Sequence, residues 1–297
     1  MSKVSSLASV LETRSILEQH GLMTKKALGQ HFLINDGVVS RICSLADITH
    51  DDIVLEVGPG IGTLTVALLQ QAGHVVAIER DSDLPPVLAT TCAPWYDRFT
   101  LISGDALDVS PEDLPTAPNK LVANLPYAVA ATIVLDYFER FESLASQTIM
   151  VQAEVADRMN ASVGTKNYGA YTVKLALFAE VAGRFSVSES NFFPPPRVKS
   201  AVIRLNRRCD ALDQTIVRAA MTMADAAFAT RRKTISNSMR TYFSNPQVDN
   251  VPSAAKEDVS GFVEHVLCRA GIDGRVRAES LEPAVFLALG EAYASYI

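Results

Sequence analysis

The stretch VLEVGPGIGTLT (Val54–Thr65) decides the fold. An apolar run of strand length, DIVLEV (Asp52–Val57), enters it, and residues with helical spacing, Thr63–Gln71, leave it. Between them stand Gly58, Gly60 and Gly62. Glycines here let the chain turn sharply and approach a ligand, and the start of the following helix offers oriented N–H donors. Twenty-one residues after Gly58, at the end of a second run, HVVAIE (His74–Glu79), Glu79 is placed to accept both hydroxyls of a nucleoside ribose.

Two cofactor classes fit this turn. Dinucleotide folds use G-x-G-x-x-G, whereas here the third glycine follows one spacer residue and Glu56 precedes the first glycine by two. This variant favours S-adenosylmethionine over NAD. Outward from the turn, FTLIS (Phe99–Ser103), KLVAN (Lys120–Asn124) and TIMVQ (Thr148–Gln152) are further short, nearly continuous apolar runs, as expected of strands buried on both faces. Helical stretches such as Val129–Phe141 separate them. The alternation predicts an α/β, Rossmann-like domain with a mostly parallel sheet, closed by strands near Ala179–Ser186 and Ala201–Leu205. After Asn206 the spacing becomes helical, as in Ile216–Phe228 and Ser260–Ala270. We therefore expect a catalytic domain over 1–205 and a small all-helical domain over 206–297.

The length of 297 residues and 48% hydrophobic content support a folded core, and a net charge of −6 excludes an indiscriminate nucleic-acid coat. Cys43, Cys92, Cys209 and Cys268 form no metal-binding spacing and are expected to be free, buried thiols in a reducing compartment. Lys3, Glu12 and Arg14 interrupt any leader-like apolar run, and no run approaches a membrane span, so a cytoplasmic protein without a membrane partner is expected. His20, His50, His74 and His265 have no partners at metal spacing, so no metal is expected, and HExxH, GxSxG and P-loop patterns do not occur.

The reaction class becomes legible at Asn124-Leu125-Pro126-Tyr127, directly after the fourth strand. The exocyclic amine of adenine is a poor nucleophile because its lone pair is delocalised into the ring. An Asn oxygen and a neighbouring backbone carbonyl can accept its two N–H bonds and draw it toward tetrahedral geometry; Pro126 biases Leu125 toward the extended backbone this needs. Tyr127 can stack on the base. Asp105, in SGDAL after the third strand, suits a hydrogen bond to the cofactor's adenine amine, and equally a helix N-cap.

In this order the motifs resemble those of the ribosomal RNA adenine dimethyltransferases, the bacterial RsmA/KsgA group. The resemblance begins with LGQHFLIN (Leu28–Asn35) and passes through EVGPGIGTLT, AIERD, GDAL and NLPY. It continues in VQAEVADRM (Val151–Met159), NYGAY (Asn167–Tyr171), FFPPPRVKSAVIRL (Phe192–Leu205), AFATRRKTISNSM (Ala227–Met239) and RAESL (Arg277–Leu281). It implies transfer of two methyl groups from S-adenosylmethionine to N6 of each of two adjacent adenines near the 3′ end of small-subunit (16S) ribosomal RNA, leaving S-adenosylhomocysteine. It puts His31, Leu33, Gly58, Glu79, Asp105 and Asn124 at cofactor-contact positions, with Glu56 and Gly60 in the glycine motif and Gln30 and Phe32 helping to form a lid. Phe192 would stack on the target adenine opposite Tyr127. Three departures stand out: His31 where the family more often has Asn, Ala128 where Asn is common, and Pro85-Pro86 where a helix should follow the second strand, a pair tolerated only in a first turn.

The window Arg197–Arg240 holds ten Lys and Arg against three acids, a net +7, which leaves −13 on the rest. Such a run is often only a solvated face. Within this motif series it is read as the phosphate-contacting surface, with Arg197, Lys199 and the helical Arg231-Arg232-Lys233 as contacts and Lys25-Lys26 as a lesser part. A monomer is expected, since one face must stay open to a 30S particle or its precursor. The competing readings are a large-subunit RNA methylase, a non-catalytic assembly or transcription factor on the same fold, and an NAD-dependent oxidoreductase.

Overall fold

The computed structural model describes residues 3–24, 30–209, 212–249 and 251–296. By their internal packing these form two units, Met1–Ala156 with Val181–Arg207, and Asp157–Glu180 with Arg208–Ile297. The expected division at 205/206 thus shifts to 207/208, and the segment 157–180, expected in the first domain, belongs to the second. A linear reading of apolar spacing cannot detect a segment that leaves one core and returns.

In the first unit the elements run α1 (Val10–Gln19), β1 (Phe32–Leu33), α2 (Asp36–Ala46), β2 (Ile53–Val57), α3 (Thr63–Leu69), β3 (His74–Glu79), α4 (Pro85–Thr91), β4 (Phe99–Ser103), β5 (Lys120–Asn124), α5 (Ala130–Arg140) and β6 (Ser146–Gln152). Helix α6 (Ala153–Met159) follows, then α7 (Ala170–Phe178), β7 (Ala179–Val187), β8 (Phe192–Phe193) and β9 (Ser200–Arg207). The seven-stranded sheet has the order β4-β3-β2-β5-β6-β9-β7. Its first five strands are parallel, and β9 is antiparallel to β6. Val54, Leu55, Val75, Val76, Leu121 and Val122 are fully buried, which is why these strands are continuous in apolar residues. Edge strand β4 is the exception; its residues are half-buried or exposed.

The chain progresses from β2 to β3 and β4 in one direction, then restarts at β5 on the other side of β2. The carboxyl ends of β2 and β5 therefore flank a topological switch point, where open α/β sheets leave a crevice. At the start of these strands Asp52 accepts from Lys120 Nζ at 2.9 Å and Asn119 Nδ2 at 2.8 Å, pinning β2 to β5. Pro85 and Pro86 open α4, the one place where the missing N–H and fixed φ of proline cost little.

The second unit is helical: α7, α8 (Gln214–Phe228), α9 (Ile235–Phe243), α10 (Ser253–Glu257), α11 (Val259–Arg269) and α12 (Pro283–Ala294). Its core gathers Tyr168, Val173, Met223, Ile235, Met239, Val263, Phe286 and Leu289. Gly290 lets α12 approach α8 closely: a Cβ there would lie 2.7 Å from the Ile216 carbonyl and 2.9 Å from Ala220 Cβ. Cys43 and Cys92 are buried as expected, but Cys209 and Cys268 are exposed, and all four are free. Among the described residues no helix is long and apolar enough to cross a membrane.

Candidate active site

A cavity of about 640 Å³ opens at the switch point. Its walls take in Glu56, Gly58, Gly60, Glu79, Asp105, Asn124, Leu125 and Tyr127, together with Gln30, His31, Phe32 and Leu33 from the N-terminal motif. The structure thus brings together every sequence-predicted cofactor residue.

The glycine turn is built by positive φ at Gly58 (69°), Gly60 (62°) and Gly62 (92°). Gly60 is doubly constrained, because a Cβ on it would meet the Phe32 ring at 3.1 Å. Phe32 is held there by a small core of Ile16, Leu17, Ile61, Leu84 and Val87, so α1 presses the N-terminal motif onto the glycine turn. Strand β1 pairs antiparallel with β8, matching Phe32 with Phe193 and Leu33 with Phe192. Asn35 caps α2 through Gly37 N at 2.9 Å, and Asp36 accepts from Ser5 N at 2.7 Å, fixing the motif's other end.

Glu79, at the end of β3, accepts from Asp81 N at 2.8 Å and Gly60 N at 3.2 Å. Each carboxylate oxygen keeps a further lone pair for a ligand hydroxyl. Burial raises the Glu79 pKa. Glu56 is more extreme: it is 1% exposed, its Oε2 meets no hydrogen-bond partner, and burial pushes its pKa up to about 8. An unpartnered buried carboxyl oxygen in a cavity wall calls for a donor from a ligand. With a Gly-rich turn that leaves room for close backbone approach and, bonded to it, a Glu79 carboxylate able to accept ribose hydroxyls, these residues fit S-adenosylmethionine. Asp105 accepts from Leu107 N and from Arg80 Nη1, each at 3.1 Å. It caps a turn rather than the helix its residue type also suggested, while still lining the cavity.

Asn124 is the last residue of β5, and Leu125 N donates to Met150 O at 3.1 Å, continuing the ladder with β6 by one bond. The Pro126 carbonyl then accepts from Val129 and Ala130, starting α5. NLPY is therefore a strand-to-helix turn whose polar groups face the cavity. Asn124 Nδ2 donates to the His31 carbonyl at 3.2 Å, which leaves Oδ1 as the acceptor for a substrate. Tyr127 shares a 2.6 Å hydrogen bond with Ser200 Oγ, and Ser200 is fully buried.

Phe192, expected to stack on the target base, is 2% exposed, packs in the main core and is not among the residues that line the cavity. In β8 its side chain turns inward beside its β1 partner Leu33. Sequence reading also missed three polar contributors. Asp81 accepts from Gln30 Nε2 at 2.7 Å, joining the N-terminal motif to the end of β3. Its place in AIERD, two residues after Glu79, was a signal. Gln152 lines the cavity from the end of β6. Ser200 lies 73 positions from Tyr127, and no spacing rule links them.

The basic residues separate by role. Arg204 donates to the Leu45 carbonyl and Arg207 to the carbonyls of Leu144, Phe138 and Phe141, so both serve internal structure. Arg231-Arg232-Lys233 form a turn between α8 and α9 rather than the expected helix. Arg231 donates to the Thr165 carbonyl at 3.2 Å and reaches Glu279 at 3.5 Å, while Arg240 pairs with Glu264 at 2.7 Å. Arg232 and Lys233 are exposed and meet no acidic side chain among the described residues; Arg197 and Lys199 are exposed as well. Lys25 and Lys26 lie outside the described residues.

A parallel sheet with a glycine turn after its first parallel strand, an acidic residue closing the next, and an Asn-Leu-Pro-Tyr turn at the switch point defines a Rossmann-like, S-adenosylmethionine-dependent methyltransferase. Residues 21–260 match the sequence profile described as ribosomal RNA adenine dimethylase, and the chain belongs to that family. It is 37% identical over 292 residues to the ribosomal RNA small subunit methyltransferase A of Rhodococcus erythropolis, covering 96% of this chain and 93% of that one. The protein of the same description from Magnetococcus marinus is 39% identical over 278 residues, covering 92% and 93%. Among solved structures, a dimethyladenosine transferase from Plasmodium falciparum superposes with a TM-score of 0.70 at 27% identity, over 87% of this chain and 96% of that one.

Proposed function

We propose that this chain transfers methyl groups from S-adenosylmethionine to N6 of two adjacent adenines near the 3′ end of 16S ribosomal RNA, giving N6,N6-dimethyladenosines. The observation that carries this reading is that a single cavity is lined both by Glu79 with the glycine turn and by Asn124 with Tyr127. Bound S-adenosylmethionine supplies an activated, cationic methyl donor, so the protein's task is placement and electrostatics.

The residues divide that task. Glu79 takes the ribose hydroxyls, the turn at Gly58–Gly60 gives close backbone approach, and Asp105 takes the cofactor's adenine amine. Asn124 Oδ1 and the Leu125 carbonyl accept the two N–H bonds of the target amine, localising its lone pair on nitrogen for attack on the methyl group. Their preorganisation makes this effective, since Asn124 is already held by the His31 carbonyl at 3.2 Å. Tyr127, fixed through Ser200, supports the base by stacking. Phosphates of the RNA meet Arg197 and Lys199 on the first unit and Arg232 and Lys233 on the second, with Arg231 structuring the turn. The protein acts as a cytoplasmic monomer on the 30S particle or its precursor.

The test is methyl transfer from labelled cofactor to small-subunit particles lacking the modification, with the product nucleoside identified. Dimethyladenosine at two adjacent positions is expected. Particle binding without any methylated product would instead identify a non-catalytic assembly factor, and product confined to large-subunit RNA would identify the other methylase class.

A further inference from the structure

Asp105 reaches the cavity from a short turn that closes on itself. The Asp105 carbonyl accepts from Asp108 N at 3.0 Å and Val109 N at 3.3 Å, and Asp105 Oδ1 accepts from Leu107 N at 3.1 Å. These local bonds shape the turn without fixing where it stands against the cavity. Its entry is anchored to the sheet, since Gly104 N donates to the Glu79 carbonyl at 2.9 Å. Arg80 reaches Asp105 at 3.1 Å from the outside, but its side chain is 69% exposed, and solvent screens such a pair.

The remaining anchors are two side chains of α5. Tyr137 is fully buried, and its hydroxyl donates to the Ala106 carbonyl at 2.8 Å. Three residues on, along the same face of the helix, Arg140 Nη1 donates to the Val109 carbonyl at 2.8 Å. Ala106 and Val109 are themselves buried, where an unpaired carbonyl is costly. Both ends of the turn that carries Asp105 are thus tied to one helix. Neither Tyr137 nor Arg140 is among the residues that line the cavity, whereas Gly104, Asp105 and Ala106 are.

The two donors are set before any ligand arrives. Arg140 Nε donates to Asp136 Oδ1 at 2.8 Å, one turn back on α5, and its guanidinium lies 5.8 Å and 5.5 Å from the ring centroids of Tyr137 and Phe141. Those two rings pack with their centroids 4.4 Å apart. Burial raises the Tyr137 pKa, so the hydroxyl keeps the proton it donates. The far end of α5 is held in turn, because Arg207 of β9 donates to the Phe138 and Phe141 carbonyls, each at 2.9 Å.

We propose that Tyr137 and Arg140 are positioning residues for the cofactor's base: by holding the Ala106 and Val109 carbonyls they set the Asp105 carboxylate where it takes the exocyclic amine of adenine and repels a base with a carbonyl oxygen in that place. Selectivity for an adenine nucleoside is then set from behind the cavity, by side chains that do not touch the ligand. The proposal rests on the reading above that Asp105 accepts from the cofactor's adenine amine.

The test compares S-adenosylhomocysteine with S-inosylhomocysteine, in which a carbonyl oxygen replaces the adenine amine. Dissociation constants are measured by calorimetry for the wild type, Tyr137→Phe, Arg140→Met and Arg140→Lys, with Asp105→Ala as the reference. The wild type should prefer the adenosyl ligand by about 10- to 150-fold, the worth of one hydrogen bond to a charged group. Tyr137→Phe and Arg140→Met should each lower that preference by about 2- to 10-fold, the scale of one neutral hydrogen bond, chiefly by weakening the adenosyl ligand. Arg140→Lys keeps a donor on a long stem and should retain more of the preference than Arg140→Met. In methylation of small-subunit particles, KM for S-adenosylmethionine should rise with the loss of affinity, and kcat should change less. A merely structural role moves both dissociation constants together, so an equal loss for the two ligands, or an unchanged preference in Tyr137→Phe and Arg140→Met, overturns the proposal. Should Tyr137→Phe not fold, the two Arg140 variants, at a side chain 29% exposed, decide the question alone. If the wild type shows no preference, or Asp105→Ala keeps it, the reading of Asp105 falls and the proposal falls with it.

Discussion

The side-chain amide of Asn124 is held by the main chain of His31, Nδ2 to carbonyl oxygen at 3.2 Å, across 93 residues of sequence. The bond fixes which end of the amide a substrate meets. An acceptor aimed in advance at the reacting amine costs no reorganisation in the transition state. Asn124→Ala is accordingly expected to lower kcat by about 100- to 1000-fold while leaving particle affinity nearly unchanged. Steady-state kinetics alongside particle-binding measurements check this; an equal loss in both would remove Asn124 from its role.

Gly60 meets two demands at once, a φ of 62° and a Phe32 ring 3.1 Å from where a Cβ would stand. Gly60→Ala should destabilise the protein by about 1–3 kcal/mol, the usual cost of a residue forced into this backbone region. Phe32→Leu should relieve the steric part only. In a double-mutant cycle by denaturant unfolding the double variant should therefore cost less than the sum of the two single variants, and strict additivity would show that ring and glycine are not coupled.

Burial raises the Glu56 pKa from 4.5 to about 8, so the folded protein keeps a proton that the unfolded chain releases. Stability from this group is complete below about pH 4.5 and is lost as pH rises toward 8. Relative to Glu56→Gln, which cannot ionise, the ligand-free wild type should weaken across that window by at most about 1.4 kcal/mol per pH unit. Thermal melts of both proteins between pH 4 and 9 test the difference, and parallel curves would mean Glu56 ionises normally.

Of the three consecutive basic residues, Arg231 is committed to Thr165 and Glu279, whereas Arg232 and Lys233 are exposed without an acidic partner among the described residues. Neutralising Arg232 or Lys233 should each reduce the slope of log affinity against log salt by about one, and Arg231→Gln should change it less. Titrations of RNA binding at several salt concentrations separate the cases; an equal effect at all three positions would contradict the division.

Glycine inside an exposed helix normally gains from replacement by alanine, but at Gly290 the sign should reverse. A Cβ would stand 2.7 Å from the Ile216 carbonyl and 2.8 Å from Ala220 N, both backbone atoms of α8 that cannot move aside cheaply. Gly290→Ala is expected to cost about 1–3 kcal/mol by forcing α12 from α8. A stabilised variant in chemical denaturation would show that the helices can separate freely.

Three of the sheet strands, His74–Glu79, Phe99–Ser103 and Lys120–Asn124, have the bounds their apolar runs predict; for the first and last a strand covered on both faces leaves a continuous run, whereas Phe99–Ser103 is a half-buried edge strand that is nonetheless apolar. That Gly58, Gly60, Glu79, Asp105 and Asn124 line one cavity was legible for a related reason: they sit at or just beyond strand ends, where topology alone delivers them to the switch point. Arg231 was misread as helical because a charge run carries no information about the turn between two helices. The inclusion of 157–180 in the second unit was hidden because local spacing does not state which core a helix joins.

The sequence by itself therefore determined the sheet, the glycine turn and the place of the Asn-Leu-Pro-Tyr turn after β5, all of which follow from local backbone preference and the periodicity of burial. Only the tertiary structure decided which side chains face one another across long sequence separations. Phe192 went into the core, His31 came to face Tyr127, and Ser200 came to brace it. These outcomes depend on strand pairing between β1 and β8 and on the meeting of β6 with β9, where a shift of one residue turns every side chain to the opposite face.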